Sequence, residues 1–195
     1  MKIGVLALQG AVSEHIRMLE KAGAEAIAIK KVSQLDEVEG LVLPGGESTT
    51  MGKLMREYGF DTALKDFYEQ KKPIFGTCAG LILLANEIAE QDWVHLGFMN
   101  MKVQRNAFGR QRESFETNLS LKGITDEFPA VFIRAPLILG VGENVDILST
   151  YNDEIVAARQ DHLLCASFHP ELTDDARMHK YFLEMVREYR GQKVR

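Results

Sequence analysis

Short apolar runs that alternate with helical patterns constrain the fold of this chain more than any other feature of its sequence. Five runs are nearly continuous in apolar residues, as expected of strands buried on both faces: 3–8, 26–29, 41–43, 73–75 and 163–168. Helical periodicity lies between several of these runs. Alternation of strands with helices predicts an α/β fold with a mainly parallel sheet.

The predicted helices follow from apolar positions spaced three and four residues apart. The first covers residues 12–22 and ends before Gly23, a residue that suits the left-handed conformation in which many helices terminate. The other helices are predicted after Ser48, over residues 63–70, from Cys78 through Ala85, and over residues 176–189.

The middle of the chain, residues 101–160, has a different pattern. It contains β-like pieces at 114–121, 131–133 and 155–158, separated by Gly, Asn and Asp turns. We expect these pieces to add antiparallel strands rather than to form a second domain. Because the 195 residues contain no linker, repeat or low-complexity segment, one domain spanning 1–195 is expected.

Charge and apolar content exclude several classes of partner. The net charge of -5 comes from interspersed acids and bases, without the basic cluster that nucleic acid or an anionic membrane requires. The first apolar run is too short for a secretory signal, and no run approaches the roughly 20 residues of a membrane span. We therefore expect a cytoplasmic protein that binds neither nucleic acid nor membrane. The two cysteines, Cys78 and Cys165, lack zinc-site spacing, so no metal is expected.

Cys78 lies where a buried strand turns through small residues into a helix, in the segment Gly76-Thr77-Cys78-Ala79-Gly80. Small neighbours permit a sharp turn and leave room for a substrate, and the N-terminus of the following helix favours the thiolate over the thiol. This arrangement is typical of a catalytic nucleophile. The alternative is a small buried side chain, which is the commoner role of a lone cysteine.

A second candidate segment, Ser167-Phe168-His169-Pro170-Glu171, closes the last apolar run. Residues two apart on an extended backbone point to the same side. His169 can then take the proton of Cys78 while Glu171 orients the imidazole, directly or after a bend at Pro170. The alternative is a strand-end histidine beside a surface acid, and the Cys78 segment favours the catalytic interpretation. The remaining histidines are expected to be surface or structural: His15, His95, His162 and His179.

A glycine-rich loop, residues 44–50, follows the third apolar run. Its glycines allow close backbone approach, so an N–H near Gly46, paired with the N–H of Ala79, can form an oxyanion hole. A phosphate-binding loop is the competing interpretation, but the segment lacks both the GxxxxGK[ST] spacing and the lysine. The three segments together favour a hydrolase with a cysteine nucleophile.

These segments, Pro44-Gly45-Gly46-Glu47-Ser48, Gly76-Thr77-Cys78-Ala79-Gly80 and His169-Pro170-Glu171, resemble the class I, or triad, glutamine amidotransferase family. Within it the match is closest to the glutaminase subunits of pyridoxal 5'-phosphate synthases, through residues 8–12, 46–51, 105–111, 132–136 and 167–173. The resemblance implies a flavodoxin-like, three-layer α/β sandwich. It also implies hydrolysis of L-glutamine to L-glutamate and ammonia through a γ-glutamyl thioester on Cys78.

The resemblance also assigns a glutamine site to matching positions of this sequence: Gly46, Glu47, Ser48, Arg105, Ile133 and Arg134. Arginine suits a carboxylate because its planar fork can donate two parallel hydrogen bonds. Without the resemblance, both arginines would be interpreted as solvated or ion-paired surface residues.

A partner is implied as well, namely a ring-forming synthase subunit that receives the ammonia. That complex makes pyridoxal 5'-phosphate, so this chain is expected to bind no cofactor. Gln9 and Gly10, at the end of the first apolar run, are candidates for the docking face. One alternative is a glutaminase module of another synthase, such as imidazole glycerol phosphate synthase, which segments 46–50 and 105–111 argue against. The other is a catalytically silent module on the same fold, which the intact Cys, His and Glu set argues against.

Overall fold

The computed structural model describes residues 1–108 and 114–195. Its strands are β1 (Lys2–Leu6), β2 (Glu25–Ile29), β3 (Gly40–Leu43), β4 (Ile74–Thr77), β5 (Ala85–Ile88), β6 (Met99–Gln104), β7 (Ser114–Leu121), β8 (Thr125–Ile133), β9 (Leu137–Val141), β10 (Asp146–Tyr151), β11 (Glu154–Gln160) and β12 (Leu163–Ala166). Its α-helices are α1 (Val12–Lys21), α2 (Ser48–Glu57), α3 (Phe60–Glu69), α4 (Ala79–Leu84) and α5 (Arg177–Lys193).

The main sheet has a parallel half and a mixed half. Its strand order is β2-β1-β3-β4-β12-β11-β9-β6-β5, and β10 lies off this order, paired antiparallel with β11. The first five strands, from β2 to β12, pair with one another in parallel. The pairs β12–β11, β11–β9 and β9–β6 are antiparallel, and β6–β5 is parallel. β7 and β8 form a separate antiparallel ribbon. The predicted α/β class, with a parallel sheet and added antiparallel strands, is confirmed.

Strand side chains alternate between two apolar clusters on opposite faces of the sheet. In β3, Leu41 and Leu43 pack in the cluster that contains residues of α2, α3 and α4. Val42, between them, packs in the cluster that contains residues of α1 and α5. The sheet is therefore the middle of three layers. Burial on both faces also explains why the strands read as continuous apolar runs.

The structure corrects several predicted element bounds. The helix predicted through Ala85 ends at Leu84, and Ala85 begins β5, which pairs with β6. The last apolar run is a strand only to Ala166, although the N–H of Ser167 still donates to Val156 in β11. The N–H of His169 donates to the carbonyl of Val131 in β8. Smaller differences concern single ends of elements. β1 ends at residue 6 rather than 8, and α3 starts at 60 rather than 63. β8 starts at 125 rather than 131, and α5 ends at 193 rather than 189.

Two further observations concern the helices. Gly23 has the positive φ predicted for the residue that follows α1, +103°. No helix within residues 1–108 and 114–195 combines the length and apolar character needed to cross a membrane.

Candidate active site

Cys78 is the single residue between the end of β4 and the start of α4. Its φ of 50° and ψ of -105° lie outside the regions that non-glycine residues ordinarily occupy, a strain of roughly 1–3 kcal/mol. The N–H of Cys78 donates to the carbonyl of Ala166 at 2.8 Å, which anchors the turn to β12. Its Sγ lies 3.9 Å from the carbonyl oxygen of Ile133. The sharp turn predicted from the sequence is present, with the thiol aimed towards β8.

His169 and Glu171 meet through a turn rather than through strand alternation. Residues Pro170–Leu172 form a 3₁₀ turn, and His169 Nδ1 lies 2.5 Å from Glu171 Oε1. Pro170 occupies the first position of this turn, where its fixed φ is favourable and its missing N–H is not needed. The bend at Pro170, and not an extended strand end, therefore orients the pair.

The imidazole of His169 is buried between two potential anions. Burial alone lowers the pKa of His169, but hydrogen bonds with Cys78 and Glu171, together with their negative charges, outweigh burial and raise it to about 10. Glu171 is fully buried and His169 nearly so. This environment stabilises the imidazolium form of His169 beside the Cys78 sulfur. An adjacent imidazolium is the kind of group that activates a cysteine nucleophile.

The glycine-rich loop lies directly against this pair. A Cβ placed on Gly45 would come 2.8 Å from His169 Nδ1 and 3.5 Å from Cys78 Cβ. The carbonyl of Gly45 accepts a hydrogen bond from the N–H of Ala11 at 2.9 Å. The N–H of Glu47 donates to Gln9 Oε1 at 2.8 Å. The loop after β1 thus fastens the loop after β3 beside the thiol.

A cavity of about 620 Å³ opens onto Cys78. Most of the sequence-predicted site residues line it: Gly46, Glu47, Ser48, Cys78, Ala79, Arg105 and Arg134, together with the docking candidate Gln9. His169 and Glu171 are not in its lining, and Ile133 reaches the site through its carbonyl oxygen. Residues 109–111, the end of the 105–111 segment, lie outside the described residues.

Charge inside the cavity is organised around Glu47. Its carboxylate caps α2, accepting hydrogen bonds from the N–H groups of Thr49 and Thr50, and lies 3.3 Å from Arg105 Nη2. Burial raises the pKa of Glu47, but the hydrogen bonds from Thr50 and Thr49 and the charge of Arg105 lower it overall. The cavity therefore presents a carboxylate and arginines, a set that can bind a zwitterion.

Sequence reasoning missed one wall of the cavity: Ile82, Ala89, Glu90, Gln91, Gln104 and Asn106. Asn106 adjoins the predicted Arg105, and its positive φ of 48° is a conformation that asparagine tolerates. Ile82 lies on α4, one helical turn beyond Cys78. Ala89, Glu90, Gln91 and Gln104 have no local signal, because the pairing of β5 with β6 places them. Glu90 and Arg134 also have positive φ, so strained backbone surrounds the cavity.

Two other histidines are buried behind the site, which makes them structural rather than surface residues. His15 on α1 and His179 on α5 are fully buried, with His15 Nδ1 2.9 Å from His179 Nε2. Burial lowers the pKa of His179 to about 3. Burial first, and then the charges of His179 and His169, lower the pKa of His15 well below its ordinary value. Both rings are therefore neutral in the folded protein at neutral pH.

This buried pair predicts a loss of stability in mild acid. A histidine with a lowered pKa in the folded state contributes full stability above its unfolded pKa of about 6.5 and loses it as the pH falls. Each buried ring should lower the free energy of unfolding by about 1.4 kcal/mol per pH unit below that value. Urea unfolding between about pH 5 and 6.5, above the titration of ordinary carboxylates, measures this slope. H179F should reduce it, and an unchanged slope would contradict the neutral pair.

A second cavity, of about 460 Å³, lies at the opposite end of β4, next to Pro73, Arg159 and His162. It includes none of the sequence-predicted site residues. The chemistry-bearing groups are therefore gathered at the carboxyl ends of the parallel strands, where open α/β sheets place their sites.

Comparison with known proteins agrees with this geometry. The SNO glutamine amidotransferase family model matches residues 5–188. The pyridoxal 5'-phosphate synthase subunit PdxT of Niallia circulans is 66% identical over 97% of this chain and 100% of its own. The PdxT of Halalkalibacterium halodurans is 64% identical over 96% of each chain.

Solved structures extend the comparison. One described as a glutamine amidotransferase superposes with a TM-score of 0.90 at 47% identity, covering 94% of this chain and 98% of that one. PurLQS from Thermotoga maritima has a TM-score of 0.69 at 14% identity, covering 100% of this chain and 98% of that one, and shares the fold alone.

Proposed function

This chain belongs to the SNO glutamine amidotransferase family, and we propose that its site hydrolyses L-glutamine to L-glutamate and ammonia with Cys78, His169 and Glu171 as a catalytic triad. The observation that carries this assignment is the buried Glu171–His169 pair, joined at 2.5 Å, next to a strained cysteine turn. A buried acid that orients an imidazole towards a nucleophile is the arrangement that activates a thiol.

Acylation follows from the placement of these groups. The Cys78 thiolate attacks the side-chain amide carbon of glutamine, and the carbonyl oxygen gains negative charge. We assign the N–H groups of Gly46 and Ala79 as its donors, because both residues line the cavity and Ala79 begins α4, where an N–H has no partner within the helix. The His169 imidazolium then gives its proton to the leaving nitrogen. Ammonia departs and a γ-glutamyl thioester remains on Cys78.

Deacylation reverses the proton transfer. The neutral imidazole of His169 takes a proton from a water that attacks the thioester carbon. Collapse of this intermediate expels the Cys78 sulfur as a thiolate beside the His169 imidazolium, which restores the starting pair. L-Glutamate is released, and the remaining proton of its new carboxyl group passes to solvent. Glu171 holds the imidazole through Nδ1 throughout.

Substrate binding is assigned to the polar lining of the cavity. Glu47 can accept hydrogen bonds from the α-ammonium group of glutamine, and Arg105 and Arg134 can donate to its α-carboxylate. Gly46 and Ser48 flank Glu47 on the same loop. The Ile133 carbonyl, beside the Cys78 sulfur, can accept from the side-chain amide before it is cleaved. This set leaves the amide carbon of the substrate facing the thiol.

The ammonia is proposed to pass to a ring-forming subunit of pyridoxal 5'-phosphate synthase. The relatives described above are named as subunits of that synthase and match this chain over nearly their whole length. Free thiols at Cys78 and Cys165 also fit a reducing compartment, so we place the activity in the cytoplasm. We propose that one domain spanning residues 1–195 performs this role without a cofactor of its own.

The function is tested by measuring ammonia release from glutamine with and without a candidate ring-forming synthase subunit. We expect release that depends on glutamine and rises when the pyridoxal 5'-phosphate synthase subunit is present. The imidazole glycerol phosphate synthase subunit is the matched control and should have no effect. Absence of ammonia release with the cognate subunit would refute the glutaminase assignment, and exclusive activation by the imidazole-pathway subunit would refute the partner.

Docking is proposed at Gln9 and Gly10, in the loop after β1 that holds residues 45–47 in place. Gly10 is exposed and has a φ of +103°. Amide hydrogen exchange of residues 8–11 should slow when the synthase subunit is added. Protection confined to another surface would show that docking occurs elsewhere.

Gly45→Ala is predicted to inactivate the site while leaving the fold intact. The backbone of Gly45 does not require a positive φ, but its new Cβ would occupy the position of the His169 ring. A displacement of about 1 Å can reduce the rate about a hundredfold. Gly140→Ala is the matched control, because a Cβ at Gly140 meets no atom within 4 Å. Equal glutaminase rates for the two variants would contradict the proposed contact.

A further inference from the structure

His15 lies behind the triad and makes contacts that the hydrolysis scheme above does not use. Its Nε2 lies 3.0 Å from Thr77 Oγ1 and 3.4 Å from Glu171 Oε2. Thr77 directly precedes Cys78, and Glu171 is the acid of the triad. One ring nitrogen on α1 therefore touches both segments that carry the triad.

The second carboxylate oxygen of Glu171, Oε2, depends on the contact with Nε2 of His15 for a hydrogen-bond donor. Glu171 Oε1 is occupied by His169, whereas Oε2 has no well-aligned hydrogen bond within the described part of the chain. Glu171 is fully buried, and a buried carboxylate oxygen without a donor is costly. The Nε2 of His15 is positioned to supply that donor after a small adjustment of either side chain.

The hydrogen bonds of His15 favour one arrangement of its proton. With the proton on Nε2, His15 donates towards Thr77 and Glu171, and its Nδ1 accepts from the Nε2–H of His179. The opposite tautomer would turn a lone pair towards the carboxylate. It would also leave a proton on His179 Nδ1, which is buried without a partner in the described residues. An orphaned donor of that kind is rare.

We propose that His15 is a positioning residue of the triad, acting through Glu171. Its Nε2–H completes the hydrogen bonding of the carboxylate, so that Glu171 keeps its contact with Nδ1 of His169 and holds that ring towards Cys78. His179 in turn fixes the tautomer of His15. This inference rests on the proposed function of Cys78, His169 and Glu171. The resulting chain of polar contacts runs from His179 on α5 through His15 on α1 to Glu171 and His169, and so to the Cys78 thiol.

Two polar substitutions separate this role from simple core packing. In His15→Gln, the amide nitrogen lies about as far along the side chain as Nε2 of histidine, so a donor towards Glu171 is retained. In His15→Asn, the amide lies near the position of Nδ1, so the bond with His179 can persist while Glu171 loses its donor. His162→Asn is the control for loss of a partly buried histidine, because His162 bonds the Tyr68 carbonyl at the far end of the sheet.

The first measurement is glutaminase activity of the full chain with its synthase subunit. His15→Asn should lower kcat on the order of ten- to a hundredfold, the range expected for a lost hydrogen bond to a charged group, with KM little changed. His15→Gln should recover most of this loss. Equal kcat values for the Asn and Gln variants would overturn the proposal.

The second measurement is the pH dependence of Cys78 alkylation by iodoacetamide, in the full-length chain without glutamine. Loss of the hydrogen bond from residue 15 to Glu171 should weaken the stabilisation of the His169 imidazolium. Alkylation of Cys78 in His15→Asn should therefore require a higher pH, whereas His15→Gln and His162→Asn should follow the wild type. A wild-type profile for a folded His15→Asn, with folding checked by urea unfolding, would overturn the inference. Because this assay needs no glutamine, it decides the role of His15 even if the wild type releases no ammonia and the proposed function fails.

Discussion

Cys78→Ala is expected to lower ammonia release from glutamine by about a thousandfold or more, to the level of the assay background. The thiolate forms the bond that replaces the amide, and alanine places no nucleophile at this position between β4 and α4. The variant should still bind its synthase subunit, because the substitution removes one nearly buried sulfur and leaves the surface unchanged. Steady-state ammonia release with co-purification of the subunit measures both properties.

Cys165→Ala is the matched control for that experiment. Cys165 is fully buried in β12, its sulfur lies 4.0 Å from that of Met101, and burial raises the pKa of its thiol to about 12. A thiol in this environment stays protonated and is a packing residue. We expect wild-type activity with a modest loss of stability. If Cys165→Ala lost activity and Cys78→Ala kept it, the nucleophile would be misassigned.

His169→Asn is expected to have an effect of similar size, at least about a thousandfold on kcat. It removes the group that accepts the proton of Cys78, donates to the leaving nitrogen and activates the water. Because the two residues act as a unit, the double variant with Cys78→Ala should be no slower than either single variant. The three rates, measured with saturating synthase subunit, test this non-additivity. Multiplicative losses in the double variant would mean that the residues act independently.

The parallel core and the nucleophile turn were predictable because local rules determine both. The runs at 3–8 and 41–43 are apolar on both faces, which indicates buried parallel strands, and the structure places β1 and β3 side by side. Gly76 and Gly80 around Cys78 predict a sharp turn, and a Cβ on either glycine would collide with neighbouring backbone. In each case the relevant constraint lies within a few residues of sequence.

Features set by distant pairing were not predictable in this way. Ala85 continues the apolar pattern of α4, yet it begins β5 because β6 lies beside it. Gln104 and Asn106 reach the cavity because β6 pairs antiparallel with β9, a contact that local periodicity does not encode. His15 has the pattern of an ordinary helical histidine, since the sequence does not show which residues of α5 and the 3₁₀ turn will face it.

The turn at Pro170 is an intermediate case. The spacing of His169 and Glu171 suggested either a strand end or a bend, and the structure has the bend. A strand end and a bend would each bring the carboxylate of Glu171 near Nδ1 of His169. The pairing of these two residues could therefore be predicted from their types and their separation in sequence. The backbone conformation that produces it depended on Val131, whose carbonyl accepts the N–H of His169.

The central claim, that Cys78 carries the glutamyl group during turnover, is tested most directly by acid-quench mass spectrometry. The complex with the synthase subunit is mixed with glutamine, quenched in acid during turnover, and digested with a protease. We predict one γ-glutamyl adduct on the peptide that contains Cys78, labile to hydroxylamine as a thioester is, and absent from Cys78→Ala. Active turnover with an unmodified Cys78 peptide, or an adduct found only on another residue, would contradict the account.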